Sequence, residues 1–116
     1  MSFSVRVFGY RGLKQIPKNL PLDFSSDSLQ VNNEPYEWAQ KLTVDGATPV
    51  ETTAQANETA TFIKVEVADD SAVRFEINPP DRDTAAGDSS PKLAGSDYFA
   101  WGAGYTISFV DAASFP

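Results

Sequence analysis

A chain of 116 residues supports one hydrophobic core and buries roughly two-thirds of the surface its unfolded form exposes. It contains neither cysteine nor histidine, which excludes disulfides, thiolate nucleophiles, zinc–thiolate sites and serine–histidine–aspartate chemistry. The net charge of −7 and pI of about 4.3 oppose binding to nucleic acid or to an anionic membrane.

The charge is unevenly placed. Residues 1–18 hold Arg6, Arg11, Lys14 and Lys18 and no acid, while residues 19–116 sum to −11. Such a start reads either as a solvated basic strand and loop or as a basic arm that docks on an acidic surface. It lacks the positive-then-apolar layout of a signal peptide, and no apolar run approaches the roughly 18–20 residues of a membrane span.

Period-two alternation, the mark of strands with one buried face, dominates the chain. In the first run Phe3, Val5 and Val7 share one side and Ser4 and Arg6 the other. After it, residues 17–35 form a long irregular stretch with Pro17, Pro21, Asn32, Asn33 and Pro35. From Tyr36 to Val44 the alternation places Tyr36, Trp38, Leu42 and Val44 together, with Glu37 and Lys41 opposite, and the Asp45-Gly46 turn signal follows. Residues 52–60 fit a turn of helix, a strand or a loop. Asn57-Glu58-Thr59 within them matches the glycosylation pattern by chance, since no signal peptide accompanies it.

Two clear strands come next. Ile63, Val65 and Val67 face inward on one, and Val73, Phe75 and Ile77 on the other. The short link Ala68-Asp69-Asp70-Ser71 predicts an antiparallel hairpin in which Lys64 and Glu66 pair with Arg74 and Glu76 across the solvent face. A second long stretch, 78–97, is rich in Pro, Gly and Asp. Long loops on a rigid scaffold are common contact regions, which makes 17–35 and 78–97 candidates for recognition. The last strand buries Tyr105, Ile107 and Phe109. The whole predicts an all-β fold: one antiparallel β-sandwich or jelly-roll-like barrel with long loops.

Chemistry-bearing motifs are weak. Asp81 to Asp88 resembles a calcium loop, but Ala85 stands where a ligand is needed and Gly87 comes one place late. Sixteen acids allow a carboxylate pair somewhere, yet nothing places two in a cleft. No helix-forming pattern follows Gly104, which argues against a phosphate loop. The densest aromatic segment, Tyr98 to Tyr105, reads either as core or as a platform for sugar rings built on Tyr98, Trp101 and Tyr105.

Residues 60–110 carry a resemblance. The succession Lys64-Val65-Glu66-Val67, Ala72 to Asn78, a polar loop, Ser90-Pro91-Lys92-Leu93, Tyr98 or Phe99, and Gly104 to Phe109 resembles small accessory proteins of tailed-bacteriophage virions. That resemblance implies a β-sandwich or jelly-roll protein that decorates and cements the capsid. Its partners would be neighbouring major capsid subunits and further copies of itself, as a dimer or trimer. The family brings no catalytic residue, cofactor or metal. The expected localisation is the capsid surface of a virion made in the host cytoplasm. Candidate partner-binding residues are Arg6, Arg11, Lys14, Lys18, Tyr98 and Trp101. The alternatives are a carbohydrate- or receptor-binding sandwich, with Tyr98 and Trp101 as its stacking surface, and a head–tail or tail adaptor.

Overall fold

The computed structural model describes residues 2–11, 36–55 and 57–115. Among them are eight strands: β1 (Ser2–Tyr10), β2 (Trp38–Asp45), β3 (Val50–Glu51), β4 (Phe62–Val67), β5 (Ala72–Asn78), β6 (Lys92–Ala94), β7 (Ser96–Ala100) and β8 (Thr106–Asp111). A 3-10 turn, Ala112–Ser114, follows. Hydrogen bonding assembles them into two four-stranded antiparallel sheets, ordered β2-β1-β4-β7 and β3-β8-β5-β6. The fold is an all-β sandwich.

Alternation decides what lies between the sheets. Val5 and Val7 of β1, Ile63 and Val65 of β4, Val73 of β5, and Ile107 and Phe109 of β8 are all fully buried. Phe75 and Ile77 of β5 and Phe99 of β7 pack against this cluster. Each such side chain contributes about 1.5–3 kcal/mol of burial free energy. Without a disulfide, this apolar layer and the two hydrogen-bonded sheets hold the fold together.

Residues 61–67 and 72–77 do not form the predicted hairpin. β4 pairs with β1 and β7, and β5 pairs with β6 and β8, so the link Ala68–Ser71 carries the chain from one sheet to the other. Ser71 N–H donates to the Ala68 carbonyl (3.2 Å), and Asp70 takes the left-handed φ of 61° that this arch needs. Alternation reports which side of a strand is buried, not which strand lies next to it; the same pattern fits two strands facing each other across a core. Lys64 accordingly pairs with Glu66 of its own strand (3.0 Å). Arg74 and Glu76 point away from the other sheet.

Tyr36 also departs from the predicted pattern. The chain bends at Glu37, so alternation begins only at Trp38 and the Tyr36 ring turns outward. Among the described residues of 52–60 there is no helix. Thr52 instead zips β3 to the head of β8, its N–H donating to the Ile107 carbonyl and its hydroxyl accepting from Ile107 N–H, both at 3.1 Å. The stretch 78–97 contains two strands, β6 and the start of β7. They form one run that bends at Gly95 (φ 75°) and passes from the second sheet to the first.

Candidate interaction surface

The register of the first sheet lines its outward side chains up in rows. Lys41, Arg6, Glu66 and Ser96 form one; Ala39, Phe8, Lys64 and Tyr98 form the next; Tyr10, Phe62 and Ala100 form a third. Tyr36, just before β2, closes the patch by packing on Phe8 with ring centroids 5.2 Å apart. Five aromatic rings thus gather at one end of one sheet face. Among the described residues, Tyr36 and Tyr98 are the large hydrophobic side chains left most open, 51% and 49% exposed, and Phe8, Tyr10 and Phe62 are half-buried.

Ring orientation limits what this patch can recognise. Tyr10 and Phe62 stack on each other at 5.1 Å with planes 14° apart, and Phe62 meets Tyr98 at 5.9 Å in a tilted contact. The Lys64 ammonium lies over the Tyr98 ring, 5.9 Å from its centroid. Sugars and bases stack on free ring faces; here Tyr10 and Phe62 each turn one face to the other, while the contacts of Tyr36 and Tyr98 are tilted. The patch therefore offers ring surface, ring edges and tyrosine hydroxyls, flanked by charge. The outward rows carry Arg6, Lys41 and Lys64 against Glu66, a local excess of +2 on a protein of net −7.

Two carboxylates at this face are tied locally. Glu37 accepts from the Thr59 hydroxyl (2.7 Å) and from Arg11 (3.4 Å), and these bonds, the Thr59 bond foremost, hold its carboxyl below its ordinary range. Glu66 binds Lys64 and by that hydrogen bond pushes the ammonium above its usual value. Lys64 therefore stays charged across the neutral range.

The sequence candidates fall on different sides of the sheet. Arg6 and Tyr98 both lie on the outward face, and Arg11 sits at its border at the end of β1. Lys14, Lys18 and the stretch 17–35 lie outside the described residues. Trp101 is not part of the surface. Its ring is 7% exposed and packs with Trp38 (6.1 Å) and Tyr105 (5.4 Å) inside one end of the sandwich. Glu58 locks it there: the carboxylate accepts from Trp101 Nε1 (3.0 Å), Trp38 Nε1 (2.9 and 3.1 Å) and the Ala60 amide (2.9 Å). A sugar platform built on Trp101 is thereby ruled out, since a buried indole needs a hydrogen-bond partner and this one already has it. The strand signal of Phe8, Tyr10 and Phe62 was present in the sequence as aromatic residues out of phase with Val5, Val7 and Ile63, but such residues look like core material until the register is known.

Other regions offer less for chemistry. The loop from Pro79 to Pro91 is pinned to the second sheet: Asn78 exchanges two bonds with Thr84 (2.9 and 3.0 Å), and Glu76 accepts from Arg82 and from the Ser90 hydroxyl, both at 2.6 Å. Among the described residues, no three acidic side chains converge as a metal site would require. No helix among them is long and apolar enough to cross a membrane. No family model, curated protein or solved structure matches the chain.

Proposed function

We propose that this protein is a structural component of a tailed-phage virion that decorates the capsid, binding neighbouring major capsid subunits through the outward face of the β2-β1-β4-β7 sheet. The observation that carries the reading is the patch of five outward aromatic rings with Tyr36 and Tyr98 half exposed. Tyrosine and phenylalanine edges, with charge at the margin, are what protein interfaces are made of. The basic flank, Arg6, Lys41 and Lys64, favours an acidic partner surface. Such a protein works by burying surface and requires no reactive group, which accords with a chain that lacks histidine and cysteine.

Co-sedimentation with particles assembled without the protein tests this. Tyr98→Ala together with Phe62→Ala should weaken particle binding by about tenfold or more, as loss of aromatic anchors does. Lys41→Glu with Lys64→Glu should weaken it more at low salt than at high salt. Undiminished binding by the aromatic pair of substitutions would sink the reading.

A further inference from the structure

At the opposite end of the sandwich the two sheets part around a cleft. It encloses about 690 Å³ and is lined by Phe3, Val67, Ala72, Ala94, Ala112 and neighbouring small residues. Side chains there are short, which leaves space where longer ones would have closed the layer. Asp69, Asp70 and Lys92, all exposed, and the half-buried Asp111 line it too, a local charge of −2. A largely apolar lining flanked by exposed charge is the anatomy of a protein contact. A small-molecule site would bring polar groups together on the floor.

The cleft and the aromatic patch are electrostatic and chemical complements. One is apolar with an acidic rim; the other is aromatic with a basic flank. Along β1 they are separated by the span from Phe3 to Tyr10, roughly 20–24 Å at the rise of an extended strand. Complementary surfaces at opposite ends of one molecule produce head-to-tail association, which closes into a ring or continues as a chain according to the rotation between copies.

We infer that the cleft between β4, β5 and the 3-10 turn receives the aromatic, basic end of a second copy of this chain. The inference rests on the reading of that end as a docking surface and names a partner for it. A copy seated on a particle through its aromatic face keeps its own cleft open, and the next copy enters there. Charge complementarity supports self-association over capture of another acidic protein: at a net charge of −7, docking of copies is favoured only where opposite local charges meet, and the acidic cleft supplies that meeting point.

Sedimentation velocity on the full chain gives the test. Wild-type protein should show mass rising with concentration at about 0.1 M salt and falling back toward monomer at about 1 M, as the screening length drops from ~10 to ~3 Å. A cleft variant, Asp69→Lys with Ala94→Arg, and a patch variant, Lys64→Glu with Tyr98→Ala, should each stay monomeric while melting as the wild type does. All four substitutions lie at exposed or half-exposed positions, so folding is kept. Mixing the two variants leaves one intact patch and one intact cleft, and should therefore yield a heterodimer and nothing larger. Wild-type protein that stays monomeric at all concentrations in low salt overturns the inference, as does an oligomer that the cleft variant forms equally well. If the wild type is monomeric while the patch variant has lost particle binding, self-association fails and the docking surface stands. If the patch variant still binds particles, the docking surface itself fails.

Discussion

On β8, Ser108 and Val110 point away from the core and are nonetheless buried, 2% and 0% exposed. On β1, Phe8 and Tyr10 also point away from the core, and they remain within reach of solvent. The difference lies in what the chain lays over each sheet. Over the second sheet it sends the Pro79–Pro91 loop, with Ala86 N–H donating to the Ser108 hydroxyl (3.1 Å), and the C-terminal turn, where the Phe115 carbonyl accepts from Arg74 Nε (2.9 Å). Along the first sheet, none of the described outward side chains of its four strands is fully buried. Among the described residues, no segment lies over the outward side of the first sheet, so its aromatic side chains carry a cost of exposure that a partner covering them would remove.

Uncovering the covered face should have the largest effect. Asn78 is 2% exposed and holds both the N–H and the carbonyl of Thr84, while Ser90 accepts from Gly87 N–H (3.0 Å) and donates to Glu76. Asn78→Ala with Ser90→Ala removes four hydrogen bonds and should cost about 3–5 kcal/mol in urea unfolding. Hydrogen exchange should quicken most through 79–91, and in β1 and β4 by no more than the loss of global stability allows. If exchange rises evenly over both sheets, the loop is not a cover for one of them.

Next comes the support beneath the open face. A Cβ on Gly9 would lie 2.4 Å from the Trp38 ring, so Gly9→Ala must push that indole aside and draw its N–H from Glu58. Overpacking and the lost bond together predict about 2–4 kcal/mol of destabilisation, read by thermal melting, with a red shift in tryptophan emission. Glu58→Gln keeps the shape and offers one acceptor oxygen where four donor contacts converge on two. Its expected cost is smaller, about 1–2 kcal/mol. A melting temperature unchanged by Gly9→Ala would show that Trp38 has another place to go.

How far these features can be read from the sequence follows the same division. The inner layer is legible, because Val5 and Val7, Ile63 and Val65, Val73 and Phe75, and Ile107 and Phe109 alternate without interruption. The partners of those strands are not, because a strand in a hairpin and a strand across the core show the same alternation; the β4–β5 link is the instance. β7 is hidden because, as an edge strand, it exposes Ser96, Asp97, Tyr98 and Ala100 and so shows no two-sided pattern. β3 is too short, at two residues, to leave any pattern. Of the surface, Arg6, Arg11 and Tyr98 are legible from charge and exposure-prone chemistry. Phe8, Tyr10 and Phe62 are not, since only the register shows that they turn outward. Trp101 misleads for the converse reason: it follows an exposed tyrosine by three residues but belongs to the interior, and the glutamate that fixes it lies 43 residues earlier.

On the open face, single substitutions should scarcely change stability while changing binding. Tyr98→Ala removes one half-exposed ring from an edge strand and should cost less than about 1 kcal/mol of stability. A larger loss in urea unfolding would mean that the ring is structural and that the comparison between the two faces is wrong.

The smallest effects belong to the ion pairs at that face, and their signs follow from the direction of each shift. Glu37 is held below its ordinary value, first by the Thr59 hydroxyl and then by Arg11, so its contribution is complete above the ordinary carboxylate range and is lost as pH falls through the lower, folded-state value. Lys64 is raised by Glu66, so its contribution is complete below the ordinary lysine value and is lost as pH rises through the higher one. Between those limits the face keeps its charge pattern, and particle binding should be level with pH. Thr59→Val removes the first cause at Glu37. An NMR titration of the Glu37 carboxyl should then move up toward the ordinary range, with Lys64 unaffected. If the Glu37 titration does not move, Arg11 and not Thr59 governs that carboxylate, and Arg11→Gln is the substitution that should shift it.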